Sequence, residues 1–164
     1  MKHILSAGFR FTVELIVVIV VIATVVSLLL STATESLKRV DVIAATAEVL
    51  GGNKTALSVF YALKGEWPKD QQEIDTILFI SKRDGRQQTD LVDNVIIRNG
   101  ALDVSLRRRL SGQIITIHPA VPVDNPLGPV KWVVGANSIS SGWKAAGEDR
   151  TTVESELIPG ILKP

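Results

Sequence analysis

"LIVVIVVIATVVSLLLSTAT", residues 15–34, contains no Asp, Glu, Lys or Arg. At about 1.5 Å per residue, an α-helix of this length spans roughly 30 Å, the thickness of a bilayer's hydrocarbon core. A buried helix of a soluble domain seldom stays uncharged for so long. Val and Ile dominate the stretch and are mediocre helix formers in water. In lipid the point is minor, because a lone segment satisfies its main-chain groups only as a helix. One carboxylate, Glu14, stands at the mouth of the stretch. An unpaired charge in hydrocarbon is costly. Glu14 therefore sits at the headgroup level, or it meets a partner that the isolated chain does not supply.

Outward from this helix the composition changes. From residue 35 onward charges of both signs are spread as in a soluble domain, and 164 residues accommodate one domain plus an extended element. A net charge of +1 marks neither a nucleic-acid binder nor an acidic surface. The absence of cysteine excludes disulfides and thiol catalysis. Residues 1–8, "MKHILSAG", form a short leader with Lys2 as its basic element. An ordinary export signal cut near Ser31-Thr32-Ala33, releasing a soluble domain, is the alternative.

The helical pattern runs on past residue 34. Leu37, Val40, Ala44, Ala47 and Leu50 recur at three- and four-residue spacing, and Leu57, Phe60 and Leu63 resume the stripe. Gly51 and Gly52 each cost up to about 1 kcal/mol against Ala in a helix. They predict one long helix bent there, with two helices and a loop at "GGNKT" as the alternative. Gly65 is placed to cap the helix, and Pro68 holds Trp67 extended. Residues 65–90 form a connection with one short helix or turn around Ile74, Ile77, Leu78 and Ile80, and "SKRDGRQQTD" (81–90) as its exposed loop.

Strand signals follow. "LVDNVII" (91–97) and "LDVSLRR" (102–108) flank Asn99-Gly100, whose two residues both tolerate the positive φ of a tight hairpin. "QIITIHP" (113–119) alternates after Ser111-Gly112, and "VKWVV" (130–134) reads as a fourth strand. The predicted fold is α+β. A long N-terminal hydrophobic helix packs by its distal half against a four-stranded antiparallel sheet, whose other face stays partly wet. The predicted divisions are a leader at 1–8, a transmembrane helix at 9–34 and a soluble head at 35–164. Within the head these are the distal helix (35–64), connection (65–90), sheet (91–134) and a mostly irregular C-terminal loop (135–164) pinned by Trp143, Leu157, Ile158 and Ile161.

Few residues are of a catalytic kind. His3 and His118 are the only histidines, and no metal-ligand spacing surrounds them. No serine sits on a nucleophile elbow, and "GGNKT" lacks the first glycine and preceding strand of a phosphate loop. The expectation is a non-catalytic protein without cofactor or metal. Arg107, Arg108 and Arg109 form the sharpest charge run. On a strand Arg107 and Arg109 would share one side and Arg108 the other. That places a solvated rim there, or less readily an anionic contact such as nucleic acid or a neighbouring subunit. Trp67, Trp132 and Trp143 read as packing residues at three separate places.

Gly8-Phe9, "FTVEL" (11–15) and the apolar helix behind them resemble the start of a type IV pilin or pilin-like protein. "FYALKGEWP" (60–68), "LSGQIITIHP" (110–119), "VKWVV" and the tail "ELIPGILKP" (156–164) resemble later segments of that family. The resemblance implies cleavage after Gly8 by a prepilin peptidase and methylation of the new N-terminal Phe9. It further implies passage through the inner membrane as a single-pass subunit, and assembly by pilus machinery into a homo-oligomeric helical filament outside it. Glu14 would then pair with the α-amine at Phe9 of a neighbouring subunit. Two departures stand out: Glu14 lies six residues after Gly8 where the family usually has five, and Arg10 puts a charge at the membrane entry. The tail cysteine of the family and its partner are also absent, with Val134 at the partner's place. Calcium-loop sequences of secretion pseudopilins are not apparent, which favours a pilus subunit over a pseudopilin. A DNA-uptake pilin and a non-polymerising single-pass membrane protein are the remaining alternatives; adhesion and twitching motility are not distinguished.

Overall fold

The structure, a computed structural model, describes residues 2–78, 89–135, 139–158 and 160, with side chains from residue 14 onward apart from Leu78. By its internal contacts the chain forms two units, residues 1–37 and 38–164. Ile80, the loop at 81–88 and Ile161 lie outside the described residues.

Helix α1 (Lys2–Lys64) is continuous and stays α-helical through Gly51 and Gly52. The two-helix alternative does not form, because Val49 and Leu57, on either side of the glycines, are both anchored in the core. Leu57 and Phe60 are buried as the spacing indicated, but over residues 37–50 the buried stripe is not the one the spacing picked out. Val42, Ala45, Val49, Leu57 and Phe60 are buried, whereas Leu37, Val40 and Leu63 are exposed. This part of the helix offers two apolar faces, and the spacing alone chose the one that keeps Asp41 outward. Asp41 is in fact turned inward, where Arg109 meets it. The helix ends as expected, with Gly65 at φ +74° and its N–H bonded to the Tyr61 carbonyl at 2.8 Å. Helix α2 (Gln71–Leu78) opens on Asp70, whose Oδ1 accepts the Glu73 N–H, while Glu73 Oε2 accepts the Lys69 N–H. It sends Ile74 into the core.

Five strands follow: β1 (Val92–Arg98), β2 (Ala101–Leu106), β3 (Ile114–Pro122), β4 (Lys131–Val134) and β5 (Trp143–Ala145). All neighbouring pairs are antiparallel, in the order β1-β2-β3-β4. Asn99 (φ +49°) and Gly100 (φ +85°) make the β1–β2 turn. Ala120 pairs with Lys131 of β4 and with Ala145 of β5, so those strands flank β3 on opposite sides. Ile117 likewise pairs with Leu102 of β2 and Val134 of β4. Strands β2 and β5 therefore lie end to end along one side of β3. The fifth strand falls inside the C-terminal region expected to be irregular; three residues with no alternating pattern are too short to announce a strand.

Leu102, Val104, Leu106, Ile115, Ile117 and Val134 bury one sheet face with the distal half of α1, giving the α+β, pilin-like architecture. The opposite face stays partly wet, with Ile96 and Arg98 exposed, but its centre is covered. Thr116 and His118 are fully buried on it and Asp103 nearly so, because the segment after β5 folds back across them. Arg150 N–H bonds Thr116 Oγ1, Thr116 N–H bonds Thr151 Oγ1, and Ile114 exchanges bonds with Thr152. Val153, Leu157 and Ile158 then enter the core. Packing and hydrogen bonds thus hold the tail without a disulfide.

Candidate functional site

The apolar stretch is the most unusual surface of the chain. Every large hydrophobic side chain from Leu15 to Leu30 is exposed, at 47–66% of its full area, so all faces of the helix are uncovered within the chain. Four of its hydroxyls bond the helix's own carbonyls. Thr24 donates to the Val20 carbonyl, Ser31 and Thr32 to Leu28, and Thr34 to Leu30, at 2.8–2.9 Å. A hydroxyl bonded to its own helix needs no water, so these polar residues are compatible with an apolar environment. The helix is long and apolar enough to cross a membrane. Glu14 stands exposed at its start. Gly8 and Phe9, the expected processing residues, fall outside the residues whose side chains are described.

The arginine run is not on a strand. β2 ends at Leu106, Arg108 takes φ +54°, and residues 108–110 form a 3₁₀ turn. The expected alternation of sides is lost, and each guanidinium finds a carboxylate of the same chain. Arg107 Nη2 lies 2.7 Å from Asp93 Oδ1, Arg108 Nη2 3.0 Å from Asp90 Oδ2, and Arg109 Nη1 3.0 Å from Asp41 Oδ2. Asp93 stands at the register shift between Val92 and Asn94, a bulge that re-aims its side chain. The cluster thus ties β1, the end of β2 and α1 together. Spacing in the sequence gave no sign of these partners, which lie up to 68 residues away.

A second polar cluster, not singled out from the sequence, occupies the covered sheet face. Asp103 accepts the Thr116 hydroxyl at 3.0 Å and pairs with Arg98 Nε at 3.1 Å. His118 Nδ1 is 2.7 Å from the Ala146 carbonyl. A carbonyl only accepts, so Nδ1 carries the proton, and Nε2 faces Asp149 Oδ1 at 3.8 Å. The alternation Asp103, Ser105 and Thr116, His118 was visible, but polar residues at period two ordinarily mean a wet face. Among the described residues no group of three or more His, Asp or Glu side chains is placed to hold a metal ion.

The tryptophans are not all separate. Tyr61 stacks on Trp67 with ring centroids 4.1 Å apart, and Trp132 meets Trp67 edge-on at 6.5 Å. Trp143 lies elsewhere, with Lys131 Nζ 5.9 Å from its ring centre. Tyr61 donates its hydroxyl to the Pro126 carbonyl, 65 residues away. This aromatic group locks the end of α1 to the turn at Asn99-Gly100. No protein-family model matches the chain, and a search of the curated proteins finds no match.

Proposed function

We propose that this chain is a non-catalytic structural subunit of a type IV pilus-like filament, inserted in the inner membrane through its N-terminal helix before assembly. The observation that carries the reading is the all-round exposure of Leu15 to Leu30 on a helix whose continuation is packed into an α+β head. A helix uncovered on every face needs lipid before assembly and like helices after it. In a bundle of such helices Glu14 would be intolerable alone. Cleavage after Gly8 would create an α-amine at Phe9 on each subunit, and that amine neutralises a neighbour's Glu14. Desolvation can cancel the attraction of such a pair, so its value lies in selecting one axial stagger over others. A pilus subunit is preferred to a secretion pseudopilin or a DNA-uptake pilin. For uptake the only candidate contact was the arginine run, and its three members are engaged by Asp93, Asp90 and Asp41.

Intact-mass analysis after co-expression with a prepilin peptidase tests the processing step. The expected product lacks residues 1–8. An unchanged mass, or cleavage near Ala33, overturns the reading. Assembly is tested by Glu14→Ala, which should keep the subunit in the membrane fraction while sharply lowering the yield of sheared filaments. Wild-type filament yield would leave Glu14 as an interfacial residue of an ordinary anchor.

A further inference from the structure

Strand β5 has an open edge. Its register with β3 and the bonds Val123 N–H to Gly142 O and Ala146 N–H to Pro119 O direct the main-chain groups of Lys144 toward β3. Those of Ala145 then point the other way. Neither its N–H nor its C=O meets a partner among the described residues. Beside β2 the corresponding position is filled by β1, but β1 turns away at Asn99-Gly100. No described strand therefore pairs with β5 along that side.

The two sides of that edge differ in chemistry. On the helix side, with Val121 and Lys144, lies a groove of about 560 Å³ bordered by Tyr61, Glu66, Trp67, Pro122 and Pro126. On the covered-face side, with Arg98, lies a pocket of about 240 Å³ lined by Lys69, Arg98, Asn99, Glu148 and Arg150. Arg98 is committed to Asp103, but Lys69 and Arg150 have no carboxylate partner among the described residues. Asn99 borders both hollows, and Ala145 to Gly147 line the first. Short edge strands bearing lysine commonly resist pairing. Here Lys144 lies on the groove side, where Glu66 balances it, so the unpaired cations are those of the smaller pocket, Lys69 and Arg150.

We propose that the edge of β5 binds an extended peptide segment in which apolar and acidic residues alternate. In a strand successive side chains point to opposite faces. A segment hydrogen-bonded to Ala145 would place every second side chain in the aromatic and proline groove. The side chains between them would enter the pocket with Lys69 and Arg150. Main-chain bonds supply affinity in such strand addition, and alternate pockets supply selectivity. The site lies wholly within residues 38–164 and holds whether or not the chain polymerises.

The test uses the full chain in detergent micelles and a blocked heptapeptide of alternating glutamate and phenylalanine, with binding followed by calorimetry. The glutamate peptide should bind. Its lysine counterpart, and a version N-methylated on the amides of one edge, should bind at least about tenfold more weakly. Ala145→Pro removes only the outward-pointing N–H, a position where strands tolerate proline, and should lose about tenfold in affinity with unchanged circular dichroism. Arg150→Glu should lose at least as much for the acidic peptide and gain for the lysine one. No binding, equal binding of both charge types, or unchanged affinity in Ala145→Pro overturns the proposal. So does self-association through this edge without peptide, abolished by Ala145→Pro, which would make a second copy the occupant.

Discussion

Replacing Asp103 with alanine tests whether the covered sheet face is held by its polar network. The carboxylate accepts the hydroxyl of Thr116, which is fully buried, and pairs with Arg98. Thr116 Oγ1 in turn accepts the Arg150 N–H at 3.0 Å, which ties the segment after β5 to β3. Without the carboxylate a buried hydroxyl loses its acceptor, at about 1–3 kcal/mol. Arg98, with its side chain 48% exposed, returns to water, so the loss of that pair adds only about 0–1 kcal/mol. Relief of the carboxylate's own desolvation offsets part of this. The net destabilisation should be about 2 kcal/mol, or roughly 6–10 °C in Tm for a domain of this size. Asp103→Asn keeps an acceptor for Thr116 and should cost about half as much. Thermal and urea unfolding of a fragment from Glu35 to Pro164 measure both. A change below about 0.5 kcal/mol for Asp103→Ala would show that the network does not hold the tail. An asparagine variant as damaging as alanine would show that charge, not hydrogen-bond acceptance, matters.

That fragment should itself unfold cooperatively, because the core from Val42 to Ile158 draws on residues 38–164 alone; a random-coil circular dichroism spectrum would refute this. Gly100→Ala should destabilise it by at least about 2 kcal/mol, since the new Cβ would sit 2.6 Å from Trp67 Cβ at φ +85°. Gly112→Ala, with φ +81° and open space around it, should cost about 1 kcal/mol, so equal losses in chemical denaturation would refute the packing argument. Among the arginines, Arg109→Ala should be the most damaging, because it leaves the nearly buried Asp41 without its cation. Arg107→Ala and Arg108→Ala remove exposed pairs and should each cost about 0–1 kcal/mol; Tm values in the reverse order would contradict this.

The long apolar helix, its end at Gly65, the Asn99-Gly100 hairpin and the antiparallel sheet were legible in the sequence. Each rests on local physics: an uncharged run of membrane length, a glycine without Cβ in left-handed backbone, and alternation at period two. The tail likewise announced its pins Leu157 and Ile158, both buried. Position Glu14 was legible as an oddity for the same local reason.

What the tertiary structure alone decided depends on partners distant in sequence. Over residues 37–50 the buried face of α1 carries Val42, Ala45 and Val49, and Asp41 beside them is met by Arg109, 68 residues further on. The arginine run became an internal clasp because Arg108 breaks the strand and the Asp90–Asp93 segment comes beside it. Asp103, Thr116 and His118 have the pattern of a wet face, yet a returning segment covers them and meets their hydrogen bonds. The unpaired edge of β5 exists only because β2 and β5 share one side of β3 while β1 ends at the turn after Arg98. Periodicity reports which residues share a face of one element, but what covers that face is fixed by segments the chain brings back from far along its length.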